Sequence, residues 1–195
     1  MQDSALFKVI LDRYVDGRFI LGLDGLSRSG KSTIVEEIQK GLTDFEKTFC
    51  VLHIDDYIVE HKKRYDTGFE EWYEYYNLQW DVELLKQQLF AKLRDGIKVT
   101  LPFYNSNRDE IIQTVVEIPR NSIVIVEGVF LQRKEWREFF DFVVYLDCPR
   151  QTRFERESAN TRQQVEKFKT RYWKAEDYYL NTICPLSKAN MVLNS

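Results

Sequence analysis

The sequence predicts a three-layer α/β fold, a mostly parallel sheet with helices on both faces. Three observations carry that prediction. Short apolar runs of strand length alternate with helical patterns along the 195 residues. The run from Ser122 to Val126 is continuous and rich in β-branched residues, as in a strand covered on both faces. A glycine-rich turn, Gly25-Leu26-Ser27-Arg28-Ser29-Gly30-Lys31-Ser32, joins one apolar run to a helical pattern. Parallel neighbours need a crossover long enough for a helix, so this alternation reads as a parallel sheet.

In chain order, residues 4–15 place Leu6, Val9, Ile10 and Tyr14 at helical spacing. Arg18 to Leu23 reads as a buried strand, and residues 31–41 as a helix closed by Gly41. Phe49 to Ile54 is a second strand. Asp81 is placed to cap a helix running to Leu93 and stopped by Asp95-Gly96. Lys98 to Pro102 and Ile111 to Ile118 form an extended pair, a small flap. Ser122 to Val126 and Phe142 to Leu146 are further strands. Charged helical stretches cover about 150–158 and 162–181, and Met191 to Leu193 is a last strand.

No repeat, low-complexity tract or Pro/Gly/Ser-rich linker divides the chain, so one domain is expected over 1–195. Within it, 55–80 and 98–118 read as acceptor-site loop and flap, and 148–165 as a lid. Lys+Arg total 28 and Asp+Glu 31, a net charge of −3. That balance argues against bulk nucleic-acid binding, which favours a basic stripe. Cys50, Cys148 and Cys184 have no metal-ligand spacing and fit a reducing compartment. The first residues do not read as a signal peptide, and no 18-residue apolar stretch spans a membrane. A cytoplasmic location is the resulting expectation.

The glycine-rich turn fits G-x-x-x-x-G-K-[ST], with the strand before it and helix after it that the motif requires. Gly25 and Gly30 let backbone N–H groups, including those of Ser27, Arg28 and Ser29, wrap phosphate oxygens. Lys31 reaches the terminal phosphates, Ser32 ligates Mg²⁺ and Thr33 adds a phosphate hydrogen bond. Glu127 follows the apolar run Ile123–Val126, which puts it at the carboxyl edge of the sheet as a second magnesium anchor. ATP and Mg²⁺ are therefore the expected cofactors. Phosphate-loop proteins include GTPases, motor ATPases and small-molecule kinases, and neither the NKxD nor the DxxG signature of GTPases is present. His53-Ile54-Asp55-Asp56-Tyr57 ends the second strand and puts Asp55 at the same edge, where a carboxylate accepts or orients a hydroxyl proton. Asp56 is the expected capping residue.

Taken in order, GLSRSGKST, HIDDYI, LQWDVELL, LPFYNSNR, IVIVEGVF and YLDCPRQTRFERE resemble the uridine kinase, nicotinamide riboside kinase and phosphoribulokinase group over roughly 18–193. The resemblance implies ATP-dependent phosphorylation of a small-molecule hydroxyl, foremost a nucleoside 5′-hydroxyl. It makes Asp55 the base and Asp81, in Gln79-Trp80-Asp81-Val82, a ribose ligand. Asp81 as helix cap is compatible, since its two oxygens can serve both roles. Pro102-Phe103-Tyr104, with Arg108 after it, resembles the start of a nucleoside-binding flap. Arg153 and Arg156, on one helical face with Arg150, resemble the lid arginines that cover the transferred phosphate. Solvated pairing with Glu155 and Glu157 is the plainer reading of that face.

Departures from the group bear on the acceptor. Ile58 stands where uridine kinases carry a second aromatic. The flap reads Asn105-Ser106-Asn107 without a histidine, and the lid has Arg156-Glu157 and Ala159-Asn160. A different alcohol acceptor, as in nicotinamide riboside, pantothenate or phosphoribulose kinases, stays open, as does an ATP-binding regulator without acceptor turnover. Eight aromatics lie between Tyr57 and Trp80. They are read mainly as packing, with Tyr57 and Trp80 touching substrate; a surface joining two copies of the chain is a further reading. His53 reads as a strand-end residue, Cys50 as buried, and Asp24 as bonded to the turn. Tyr172, Trp173, Tyr178 and Tyr179 read as core.

Overall fold

A computed structural model describes residues 3–195. Its strands are β1 (Arg18–Gly25), β2 (Phe49–His53), β3 (Lys98–Asn105), β4 (Glu110–Glu117), β5 (Ser122–Gly128), β6 (Phe142–Asp147) and β7 (Met191–Asn194). Five of them form a parallel sheet in the order β2-β5-β1-β6-β7. The expected α/β layering is present, and strand alternation builds it. Phe19, Leu21 and Leu23 of β1, Ile123 and Ile125 of β5, and Phe142, Val144 and Leu146 of β6 form one core. It includes Leu6 and Ile10 of helix Asp3–Arg13 and Val35, Ile38 and Leu42 of helix Lys31–Asp44. The interleaved Ile20, Val124, Val126, Val143 and Tyr145 belong to the opposite core, with Leu85, Trp136, Ala175 and Tyr179. Each such buried aliphatic side chain contributes roughly 1.5–3 kcal/mol.

The strands β3 and β4 pair antiparallel from Lys98↔Glu117 to Asn105↔Glu110, apart from the main sheet. Val99, Leu101 and Ile118 root this hairpin in the core, while Phe103 and Ile112 further out are exposed. No helix among the described residues is long and apolar enough to cross a membrane.

Five local expectations are corrected. Gly41 does not close its helix, which runs to Asp44; a Cβ at Gly41 would lie 2.7 Å from Phe7 Cε2, so this glycine admits a neighbouring helix. The helix capped by Asp81 stops at Gln88, and a 3₁₀ turn, Phe90–Lys92, follows. That break brings Phe90 into the core beside Leu89 and Leu93. The stretch 150–158 is helical only to Glu155. The stretch 162–181 is divided into a short turn Val165–Lys167, a π-helical turn Phe168–Trp173 and helix Lys174–Ile183. A π turn adds a residue to the helical repeat and shifts its apolar spacing. Asp56 caps nothing, because the 3₁₀ turn Ile54–Tyr57 has no side-chain cap.

Candidate active site

The turn between β1 and helix Lys31–Asp44 is built for close backbone approach. A Cβ at Gly25 would lie 2.7 Å from Ser29 Oγ and 3.0 Å from the Leu146 carbonyl oxygen. Arg28 and Gly30 take left-handed backbone angles, φ 61° and 99°. Ser29 is fully buried and its hydroxyl oxygen has no partner. Buried polar groups are nearly always satisfied, so this one fits a loop made to hold a polar ligand. The Lys31 ammonium is buried, donates to the Leu26 carbonyl at 3.1 Å and lies 3.8 Å from Glu127 Oε1. Burial pulls its pKa down, and the charges of Glu127, Asp55 and Asp24 oppose that shift.

The sheet edge supplies the carboxylates. His53, last in β2, is in register with Glu127 of β5, and its Nδ1 lies 2.7 Å from Glu127 Oε2. That hydrogen bond raises the His53 pKa. Asp55 sits in the turn just beyond. The turn descends onto β5 because residue 128 has no side chain: a Cβ there would lie 2.0 Å from Ile54 Cγ2. Trp80 Nε1 donates to the Ile54 carbonyl at 2.9 Å and the Val59 N–H to the Gln79 carbonyl at 3.0 Å, fixing the turn from outside. Asp55 meets solvent at the cleft mouth and is crowded by protein elsewhere. That crowding raises its carboxyl pKa; Lys31 opposes the shift and Glu127 adds to it.

Two cavities meet here. One of about 490 Å³ is lined by Gly30, Lys31, Ser32, Thr33, Glu127 and Arg156. A second of about 420 Å³ is walled by Phe154, Phe168, Tyr172, Trp173, Ile58 and Gln79. Ser27, Arg28, Asp55, Tyr75 and Glu157 line both. Ser32 and Glu127 offer the oxygen donors that Mg²⁺ prefers, with the remaining positions left to phosphates and water. No group of three or more His, Cys, Asp or Glu among the described residues could hold a metal. The donor set therefore fits a nucleotide-borne ion rather than a closed protein cage.

Arg153 and Arg156, expected as lid arginines, differ. Arg153 is buried and bidentate to Glu176, at 2.7 and 2.9 Å, and donates to the Cys148 and Ser27 carbonyls at 3.1 and 3.2 Å. Arg156 is exposed and bonds the Arg28 carbonyl through Nη1 at 3.0 Å, while Arg28 itself pairs with Glu157 at 3.1 Å.

The remaining sequence candidates lie apart from this junction. Trp80 is 2% exposed and turned into the core, so the expectation that it touches substrate does not match its place. Tyr57 is also buried, and with Asp81 it lines a third cavity of about 220 Å³ that shares the Ile58 wall. Asp81 caps its helix, accepting from the Leu84 N–H at 3.0 Å. The Tyr104 hydroxyl donates to Asp109 Oδ1 at 3.0 Å and accepts from Arg64 Nη2 at 3.2 Å. Arg108, beside the hairpin turn, is 3.6 Å from Glu110.

Sequence reasoning missed Tyr75, Gln79, Glu176 and the π-turn aromatics Phe168, Tyr172 and Trp173 as site residues. Of the four aromatics read as core, Tyr179 is fully buried, Tyr178 is exposed, and Tyr172 and Trp173 wall the second cavity. Asp24 does more than bond the turn. Its carboxylate accepts from the Gly25 and Leu131 N–H groups, Gln132 Nε2 and the Tyr179 hydroxyl, the last at 2.6 Å. Burial raises its pKa, which those bonds oppose.

The family model described as "Phosphoribulokinase / Uridine kinase family" matches residues 20–195. The chain belongs to the phosphoribulokinase/uridine kinase family. It is 48% identical to the Bacillus stearothermophilus protein described as a possible uridine kinase, with a TM-score of 0.88 over 98% of this chain and 97% of that one. It is also similar to the uridine kinase of Clostridium novyi (strain NT), 29% identical over 130 residues. The uridine kinase of Staphylococcus aureus (strain JH9) is 30% identical over 131 residues. Both of those matches cover 66% of this chain and 61% of the relative. Within this family the matched region runs from β1 through β7, so it contains both cavities and the edge carboxylates.

Proposed function

We propose that this protein transfers the terminal phosphoryl group of ATP to a hydroxyl of a small molecule, foremost the 5′-hydroxyl of a nucleoside. The observation that carries the reading is the place of Asp55, on the wall common to the phosphate-loop cavity and the aromatic-walled cavity. A donor in the first and an acceptor in the second would meet at this carboxylate.

In the proposed step the acceptor oxygen attacks the terminal phosphorus, and its proton passes to Asp55. The bond to the bridging oxygen breaks and ADP leaves. A raised carboxyl pKa suits a base working near neutrality better than an ordinary aspartate would. Lys31 and Arg156 supply positive charge beside the transferring group, with most of the Arg156 fork free. Mg²⁺ at Ser32 and Glu127 would neutralise phosphate charge. Arg153 acts at one remove, holding the Ser27 carbonyl of the loop. An acceptor reaching past Ile58 would meet Asp81, so Asp81→Ala should raise KM for ribosides. Tyr57 lines that same cavity and belongs to the same test, with Tyr104 and Arg108 of the hairpin tested alongside.

The relatives named as uridine kinases support the nucleoside reading, as do the aromatic walls. The experiment is phosphoryl transfer from Mg-ATP across uridine, cytidine, other nucleosides, nicotinamide riboside, a pentose phosphate and pantothenate, read by product mass. A riboside monophosphate as main product is expected. ATP bound without transfer to any of them would refute it.

A further inference from the structure

We propose that Gln79 is a specificity-determining residue, hydrogen-bonding a non-reacting polar group of an acceptor that carries no negative charge. This rests on the phosphotransfer reading and adds to it which chemistry the acceptor cavity selects.

The Gln79 carboxamide lies in the wall of the aromatic cavity with no hydrogen bond to its side chain, and its Oε1 is buried. Gln79 as a whole is half-buried, but a buried amide oxygen left unpaired is costly unless a ligand completes it. The backbone holds it there: the Gln79 carbonyl accepts from the Val59 N–H, and the next side chain, Trp80, bonds the Ile54 carbonyl. Gln79 is thereby tied on both sides to the turn that carries Asp55. It also follows a π-helical turn, Glu74–Leu78, and the second π turn, Phe168–Trp173, forms the facing wall. Such turns are rare and gather at functional sites. Two on one cavity, with the Gln79 amide in the same lining as Tyr75 and Asp55, mark a surface shaped for a ligand.

The charges of the cavity give the second half. Arg28 is matched by Glu157, and Arg153 is matched by Glu176 in a bidentate pair. Asp55 is the remaining carboxylic acid of the lining, and among the described residues no salt bridge reaches it. Two cations and three acids leave one negative charge, and both cations of this lining are already matched by acids among the described residues, so the lining itself offers none to a phosphate or carboxylate on the acceptor. Aromatic rings and amides recognise uncharged rings and hydroxyl or N–H groups instead.

The test is a mutant cycle on kcat/KM with Gln79→Leu and a set of acceptors from which single hydroxyl or ring N–H groups have been removed. In the native chain, removing the group that Gln79 reads should lower kcat/KM about 10- to 100-fold. In Gln79→Leu the same removal should change it less than about 3-fold, while other removals keep their native effect. KM for ATP should not move. A merely structural Gln79 would lower every acceptor alike, and that pattern, with all removals additive, would overturn the proposal. So would efficient transfer to a pentose phosphate. If the native chain transfers to nothing, the phosphotransfer reading fails. The same cycle, run on riboside Kd values by calorimetry, then decides Gln79 separately.

Discussion

Removing the carboxylate of Glu176 should destabilise the fold strongly, and burial gives the size of the effect. Arg153 Nη1 and Glu176 Oε1 lie 2.7 Å apart with side chains 6% and 4% exposed. Lys98 and Glu117 on the hairpin are also 2.7 Å apart, but 64% and 70% exposed. Distance cannot separate the two pairs; desolvation does. Glu176→Ala leaves a buried guanidinium without its counter-charge, which costs about 3–5 kcal/mol. Total stabilities are ~5–15 kcal/mol, so this is a large share. For a chain of this size it corresponds to a Tm fall of roughly 6–20 °C, at ~2–4 °C per kcal/mol. The assay is thermal and urea unfolding followed by circular dichroism, with Glu117→Ala alongside. Glu117→Ala should leave Tm unchanged within error. Pairing Glu176→Leu with Arg153→Met should recover part of the loss, since no lone charge remains. A Glu176→Ala loss below about 1 kcal/mol, the range of a surface pair, would refute the argument.

Three further outcomes follow from the site. Gly128→Ala forces a methyl toward Ile54 and should cost about 1–3 kcal/mol by overpacking, while lowering kcat because Asp55 rides on that turn; unchanged unfolding and kinetics would contradict the packing. Crowding by protein on its inner side desolvates the Asp55 carboxyl and raises its pKa, so kcat/KM should fall on the acid side at a pH above the ordinary value near ~4. Activity is present above that limb and lost below it, and a limb at or under ~4 would contradict the assignment. Arg156→Ala should lower kcat by roughly 10²–10³ with Tm unchanged, because the side chain is exposed and supplies charge rather than packing; a fall in Tm without a fall in kcat would reverse that division.

The sheet was legible in the sequence because β5 and β6 are long apolar runs, and the phosphate loop because its glycines and lysine stand at fixed spacing. Glu127 and Asp55 were legible for the same reason: each directly follows a readable strand. The aromatic-walled cavity was not. Its walls come from two π turns, and periodicity reads Tyr172 and Trp173 as core because one added residue shifts their face. Gln79 carries no motif of its own, and only its unpaired burial marks it. The split between Arg153 and Arg156 was also hidden. Three-residue spacing puts both on one face, while Glu176, 23 residues on from Arg153, takes one of them out of solvent. Gly41 and Gly128 look alike in sequence as punctuation, yet both mark close contacts that only packing shows.

The most direct measurement is single-turnover phosphoryl transfer by Asp55→Asn with the best acceptor of the native chain. Asparagine keeps the size and polarity of the side chain and removes the base. The account predicts a rate lowered about 10²- to 10⁴-fold, with ATP affinity and Tm little changed. A rate within about 3-fold of the native chain would contradict Asp55 as the base, whatever the acceptor proves to be.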